Sequence, residues 1–213
     1  MSLYIKQFVF NPFLENTYIV YNENGIAMLV DPGCCNSSEQ DGIISYMNEN
    51  GLKLKYLVNT HAHIDHILGN KFVYDQYNLT PLVHQLDLYN FEYSKQASKS
   101  YQIKYSQSPM PTDYLKEGDI INLDADKLEI ILTPGHTSGS ISLYSQYDGF
   151  IICGDTLFKG SIGRVDLPGG DMDTLIDTIK HKILTLPVTT IVYPGHGQET
   201  TVQEEIKTNV FLN

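Results

Sequence analysis

The stretch Leu54-Lys55-Tyr56-Leu57-Val58-Asn59-Thr60-His61-Ala62-His63-Ile64-Asp65-His66 runs from a short apolar segment straight into three histidines and an aspartate. An apolar run of that length reads as a buried strand over 54–59. The polar residues then occupy the loop that leaves its C-terminal end. Imidazole and carboxylate are ligands for zinc, manganese or iron. At this spacing a loop points alternate side chains at one ion and later ones at a second.

Three more predicted strands end the same way. Strand 128–132 leads into Thr133-Pro134-Gly135-His136, strand 150–153 into Gly154-Asp155-Thr156, and strand 190–192 into Tyr193-Pro194-Gly195-His196-Gly197. In α/β architectures the loops beyond strand C-termini converge on one rim, where sites are built. Four strand ends thus deliver His61, His63, Asp65, His66, His136, Asp155 and His196 to one place, with no cysteine at a ligand position. Pro134-Gly135 and Pro194-Gly195 each precede a histidine. Proline stiffens such a turn, and glycine lets the backbone pass close to an ion. One histidine after a strand is unremarkable, but five with two acids in these contexts are not a chance placement. A metal site follows.

The remaining pattern supplies the frame. Strands are predicted over 3–10, 16–21 and 26–30, with Asn24-Gly25 as a type I′ hairpin signal. A helix follows, capped by Ser37 or Ser38, with Ile43, Ile44 and Met47 as its apolar stripe and Gly51 closing it. Further helices are predicted over 67–77, 86–97 and 173–184, and from about Thr201, where Thr201 and Glu204 fit a capping box. Short strands are predicted over 82–84, 119–123 and 140–144. The polar segment 98–111 reads as a surface loop, either an active-site lid or a solvated connection. Strand runs at both ends of the chain, each followed by helices, give an α/β chain. The arrangement is an αβ/βα sandwich of two mixed sheets with helices on the outer faces.

With 213 residues and no Gly/Ser-rich linker, a single domain over 1–213 is expected. The net charge of −11 argues against a nucleic-acid partner, because a phosphate backbone repels an acidic surface. No apolar run reaches membrane-span length, and the opening Met1-Ser2-Leu3-Tyr4-Ile5-Lys6 lacks a signal peptide's basic start and apolar stretch. A cytoplasmic protein with no membrane partner is therefore expected. Cys34, Cys35 and Cys153 give an odd count and no disulfide framework. The adjacent pair reads as buried or turn thiols rather than a redox couple.

The motif Thr60 to His66 resembles the H-x-H-x-D-H signature of the metallo-β-lactamase superfamily. Gly135-His136-Thr137, Gly154-Asp155-Thr156 and Gly195-His196-Gly197 are similar to its later motifs, in order. The segment from Gly154 through Arg164 to Asp171 resembles the glyoxalase II branch, the hydroxyacylglutathione hydrolases and their short bacterial relatives. That resemblance implies a first metal on His61, His63 and His136, and a second on Asp65, His66 and His196, with Asp155 bridging them. It implies two divalent ions, zinc above all, with iron or manganese as alternatives. The reaction it implies is hydrolysis of a small-molecule thioester, in which a metal-bound hydroxide attacks the carbonyl. Arg164 stands where the family has a basic residue that contacts glutathione. Asp166 and Gln198 stand where the family has tyrosines, and the chain ends before the C-terminal helical domain of full-length glyoxalase II.

Two divalent ions against two carboxylates and one hydroxide leave one positive charge. That suits a carbonyl whose oxygen becomes anionic at the tetrahedral stage. A thiolate leaves readily, so no general acid is demanded. Asp65 serves as a ligand with both ions bound, or as a general base with one. Asp31 is either a partner that orients a metal histidine or simply part of an Asp-Pro-Gly turn. His84 and His181 lie outside the motifs and read as structural or exposed. Tyr193 either lines the pocket or packs. The rival activities are lactonase and iron-dependent persulfide dioxygenase. A β-lactam substrate and a non-catalytic metal module fit less well, given the Asp155 bridge and the complete ligand set.

Overall fold

The computed structural model describes residues 2–212. The first sheet has the order β1-β2-β3-β4-β5, formed by β1 (Leu3–Phe10), β2 (Glu15–Asn22), β3 (Ile26–Val30), β4 (Lys53–Val58) and β5 (Pro81–Leu82). Its first three strands are antiparallel neighbours, while β3–β4 and β4–β5 run parallel. The second sheet is built from β6 (Ile120–Leu123), β7 (Asp126–Leu132), β8 (Ile141–Ser145), β9 (Phe150–Gly154), β12 (Ile191–Pro194) and β13 (Thr200–Thr201). Its order is β13-β12-β9-β8-β7-β6, with β9–β12 its parallel pair. A two-stranded hairpin, β10 (Leu157–Phe158) and β11 (Ser161–Ile162), stands apart from both sheets.

Alternation along each strand explains the layers. Tyr18, Val20, Met28 and Val30 of the first sheet face Leu128, Ile130, Leu143 and Ile152 of the second across a shared core. Their neighbours Ile19, Ala27 and Leu29 face outward, onto α1 (Ser37–Glu49) and α3 (Asn70–Tyr77) through Ile43, Met47 and Val73. On the other side Ile151, Cys153 and Val192 pack against Leu175 of α5 (Met172–Thr178), its π-helical continuation Ile179–Ile183, and Val202 of α6 (Val202–Thr208). Both faces of these central strands are thus apolar, which is why β3 and β9 read as continuous hydrophobic runs and β2 does so over residues 18–21. The chain is a sandwich of two mixed sheets with helices on the outer faces.

Several local details depart from the sequence reading. The Asn24-Gly25 hairpin is a three-residue loop, not a two-residue type I′ turn. Gly25 Nα donates to the Asn22 carbonyl, and of the pair only Gly25 takes a left-handed φ, of 76°. Asn36, not Ser37 or Ser38, caps α1 by accepting from Glu39 Nα. The helix expected over 67–77 is broken into α2 (Ile64–Ile67) and α3. Gly69 donates its N–H to the Pro32 carbonyl, and a methyl there would overlap Cys34 Sγ. The helix expected over 86–97 opens as a 3₁₀ turn (Gln85–Asp87) and continues as α4 (Leu88–Ser100).

The segment 98–111 is not a solvated connection along its length. Ile103 and Tyr105 pack against Ile64, Leu68 and Phe91, and Ser108 is buried, accepting from Asn70 Nδ2. The β10–β11 hairpin and β13 carried no periodicity long enough to predict. Among the described residues no helix is long and apolar enough to cross a membrane.

Candidate metal centre

Strands β4, β7, β9 and β12 end on one rim, and the seven sequence-selected side chains meet there. His61 Nε2 lies 3.2 Å and His63 Nδ1 2.9 Å from His136 Nε2. Three imidazole nitrogens so close, with rings nearly perpendicular, are aimed at a common point. A second group is offset from the first. His196 Nε2 is 3.2 Å and His66 Nε2 3.7 Å from Asp65 Oδ2. Asp155 lies between the groups, with His136 Nε2 at 3.6 Å on one side and His66 and His196 Nε2 at 3.5 Å on the other.

The outward nitrogens of four histidines are held by acceptors. His66 Nδ1 faces Asp31 Oδ2 at 3.1 Å, His136 Nδ1 the Arg164 carbonyl at 2.7 Å, and His196 Nδ1 the Phe13 carbonyl at 3.1 Å. Carbonyls and ionised carboxylates only accept, so each Nδ1 carries a proton and Nε2 is the nitrogen left to face the cluster. His61 Nδ1 meets Thr60 Oγ1 at 3.1 Å, and that hydroxyl donates to Asp31. Asp31, at a left-handed φ of 49°, both makes the turn and contacts Thr60 and His66. Asp31, His61 and His66 also form a close trio, but Asp31's oxygens are already engaged by Thr60 Nα, Thr60 Oγ1 and His66 Nδ1.

The geometry fits a pair of cations. His66 Nε2 and Asp155 Oδ1 are buried without a hydrogen-bond partner, a costly state that an ion between them removes. Burial and the neighbouring histidines hold His61 well below the usual imidazole range. Burial and His136 push His63 down to about 3. Both are neutral at physiological pH, the state in which imidazole can bind a metal.

The second group has the opposite character. Burial disfavours charge on His66, yet Asp155, Asp65 and Asp31 outweigh it and raise its pKa well above normal. Burial likewise opposes the shift at His196, which Asp65 and Asp155 turn upward. Burial would lift Asp155, but His66, His136 and His196 draw it below the carboxylate range. The carboxylates therefore demand positive charge at this spot, and divalent ions supply it.

Backbone sets these distances. At Gly195 a methyl would overlap Asp155 Oδ1 and press on His66, and at Gly154, with φ of 50°, it would overlap Thr60 Oγ1. The β1–β2 loop reaches over the rim, where Asn11 Nδ2 donates to the carbonyls of Gly33 and Asp65. Buried Asp87 accepts from Ala62 Nα, between His61 and His63, and from Asn90 Nδ2. Asp87 and the carbonyls of Phe13 and Arg164 escaped the sequence reading. A main-chain acceptor leaves no residue-type signal, and Asp87 carries only the weak one of an acid opening a helix.

A cleft of about 440 Å³ opens over the cluster, with Phe13, Tyr93, Tyr101, Phe158, Ile64 and Leu167 among its walls. The Arg164 side chain lies at its edge, exposed and paired with Asp166. A larger recess of about 660 Å³ beside Ile120, Lys127 and Tyr147 contains none of the site residues. Tyr193 packs against Tyr18 and Phe150, away from the cleft. His84 caps the 3₁₀ turn, His181 is exposed, and Gln198 pairs with Lys159 outside the cleft.

Comparison with known proteins agrees with this arrangement. The model of the metallo-beta-lactamase superfamily matches residues 10–196. A probable metallo-hydrolase of Bacillus subtilis (strain 168), YqgX, is 37% identical over 95% of this chain and 94% of its own length. The hydroxyacylglutathione hydrolase GloC of Haemophilus influenzae (strain ATCC 51907 / DSM 11121 / KW20 / Rd) is 32% identical, over 94% of each. Among solved structures, the BLEG-1 B3 metallo-beta-lactamase superposes with a TM-score of 0.90 at 32% identity, covering 99% of this chain and 100% of that one. TTHA1623, in a di-iron-bound form, gives 0.87 at 33% identity, over 97% of this chain and 100% of its own.

Proposed function

Because the chain belongs to the metallo-beta-lactamase superfamily and is a metallo-hydrolase of that kind, we propose that it is a thioesterase of hydroxyacylglutathione hydrolase type. The observation that carries this reading is Asp155, whose carboxylate faces histidines of both groups. One carboxylate placed so is suited to bridge two ions. His61, His63 and His136 would hold the first, and Asp65, His66 and His196 the second. We take zinc as the ion, with iron the principal alternative, since a relative is di-iron-bound and the donor set suits both.

When bound, the two ions supply an activated water and polarise the carbonyl. The chain's own residues do the rest. Asp31, Thr60 and the carbonyls of Phe13 and Arg164 fix the tautomers of His66, His61, His196 and His136, so these four rings are held in place for the reaction. Asp65 turns Oδ2 toward His196 and His66, so with both ions bound it would be a ligand of the second, and with one ion bound it would serve as the general base. The apolar walls exclude bulk water and orient the acyl and thiol parts about the carbonyl. A departing thiolate needs little protonation, which agrees with a cleft that presents no further acid. The partner is a small molecule, and the acidic surface disfavours nucleic acid.

The test is a hydrolysis screen on protein whose metal content has been measured, using thioesters that begin with lactoylglutathione, together with lactones and a β-lactam. Thioester turnover that falls with metal removal is expected. Turnover of lactones or β-lactams with none of thioesters would overturn the assignment.

A further inference from the structure

Arg164 is the one Lys or Arg side chain lining the cleft among the described residues. Its guanidinium already has a partner, which a substrate has to displace. Its Nε and Nη2 each donate at 2.7 Å to the two oxygens of Asp166, a two-pronged pair closed within three consecutive residues. The rest of the lining is largely apolar and aromatic. Phe13 and Tyr101 meet edge to face with centroids 5.3 Å apart, and Phe158 sets its ring against that of His196 at 6.2 Å. Tyr101 is 46% exposed at the mouth, so its ring is available to a ligand.

We propose that Asp166 is a specificity-determining residue. By holding Arg164 as an internal carboxylate it turns the cleft towards thioesters whose thiol part is uncharged and aromatic, and away from carboxylate-bearing thiols such as glutathione. This rests on the thioesterase reading above. A substrate carboxylate has to displace one tethered two residues away, whose effective concentration is on the order of millimolar or more. The pair is solvent-exposed, so the discrimination it provides is several-fold rather than absolute. The aromatic wall adds the larger part, because a ring stacked or set edge-on against Phe13 and Tyr101 removes apolar area from water on both partners. The net charge of −11 acts in the same direction.

The experiment compares kcat/KM for one acyl group carried on benzyl mercaptan, on N-acetylcysteamine and on glutathione, with metal-quantified protein. The expected order is benzyl mercaptan, then N-acetylcysteamine, then glutathione. Asp166→Ala should shift the glutathione-to-benzyl ratio about three- to fivefold towards glutathione, the size an exposed ion pair supports. Asp166→Glu should restore the wild-type ratio. Tyr101→Ala should shift the ratio about tenfold in the same direction by lowering the benzyl value. A wild-type preference for the glutathione thioester, or an Asp166→Ala ratio equal to wild type, would overturn the proposal. If no thioester turns over, the thioesterase reading fails on its own. Calorimetric titration with the corresponding non-hydrolysable thioethers then decides the selectivity, and equal affinities for the benzyl and glutathione compounds would refute it.

Discussion

Asp31 Oδ2 lies 3.1 Å from His66 Nδ1, both side chains buried, on the side of the imidazole turned away from the metal cluster. A carboxylate in that position fixes the tautomer and makes Nε2 a stronger donor. Partners of this kind are typically worth 10–100-fold in metal affinity. Asp31→Asn should therefore weaken binding of the more loosely held ion by about one to two decades while circular dichroism stays native. Titration against a chromophoric chelator measures it, and unchanged affinity would show that Asp31 serves only the turn.

Asp155 and Gly195 make a paired test of the cluster's centre. Asp155→Ala removes the carboxylate shared by both groups, and Gly195→Ala pushes a methyl into the space that carboxylate occupies. Gly195 has no left-handed φ, so its alanine variant strains the site rather than the strand. Elemental analysis should find both variants depleted in metal relative to wild type. Full metal content in Asp155→Ala would argue against a bridging role.

A remote prediction concerns Glu205. Its buried carboxylate accepts from Gly160 Nα at 2.9 Å, Thr200 Oγ1 at 2.6 Å and Asn209 Nδ2 at 2.7 Å, while Asn209 reaches on to the Ser161 carbonyl. This ties α6 to the β10–β11 hairpin that carries Phe158 into the cleft. Glu205→Ala strands several donors at once and should cost about 3 kcal/mol of stability, read from urea melts. It should also raise KM more than it lowers kcat, since the hairpin shapes the wall and not the cluster. A loss under 1 kcal/mol would mean that water replaces the carboxylate.

The thiols should sort by burial. Cys34 and Cys153 are buried, and burial pushes the Cys153 thiol up to about 12; Cys35 is only half-buried. At pH 8 a thiol reagent should modify Cys35 slowly in native protein and all three cysteines in denaturant. Linkage gives the sign for pH. Above about 8.5 an unfolded cysteine releases its proton while native Cys153 keeps it, so that contribution to stability falls progressively between about 8.5 and 12. Rapid modification of Cys153 in the native state would contradict the packing of β9.

The seven candidate ligand positions could be picked out because ligand chemistry demands particular side chains, and the fold brings them to one rim. β1 and β3 were legible at their observed ends because their flanks, Asn11-Pro12 and Asn24-Gly25, are strong turn formers. What orients the ligands was hidden. The carbonyls of Phe13 and Arg164 belong to every residue type, and only the fold decides that they meet His196 and His136. The break between α2 and α3 was hidden for a related reason. A single glycine is compatible with a continuous helix, and only the Pro32 carbonyl and Cys34 packed against Gly69 rule that out. Arg164 was legible as a cation near the site, but its pairing with Asp166 two positions on was not drawn from the pattern.

The strand ends that carry the cluster come from both sheets: His61, His63, Asp65 and His66 follow β4 of the first, whereas His136, Asp155 and His196 follow β7, β9 and β12 of the second. An ion coordinated by His61, His63 and His136 would therefore be a cross-link between two halves otherwise joined by an apolar core and a few hydrogen bonds, such as those from Asn16 and Tyr18 to the Pro194 carbonyl, and it would have full affinity only for the docked pair. By mass action, whatever free energy the ion gains on binding is added to the adhesion of one half to the other. The metal then sets how often the sandwich comes apart, and a chelator should shorten the protein's survival against a protease well before it alters the average shape.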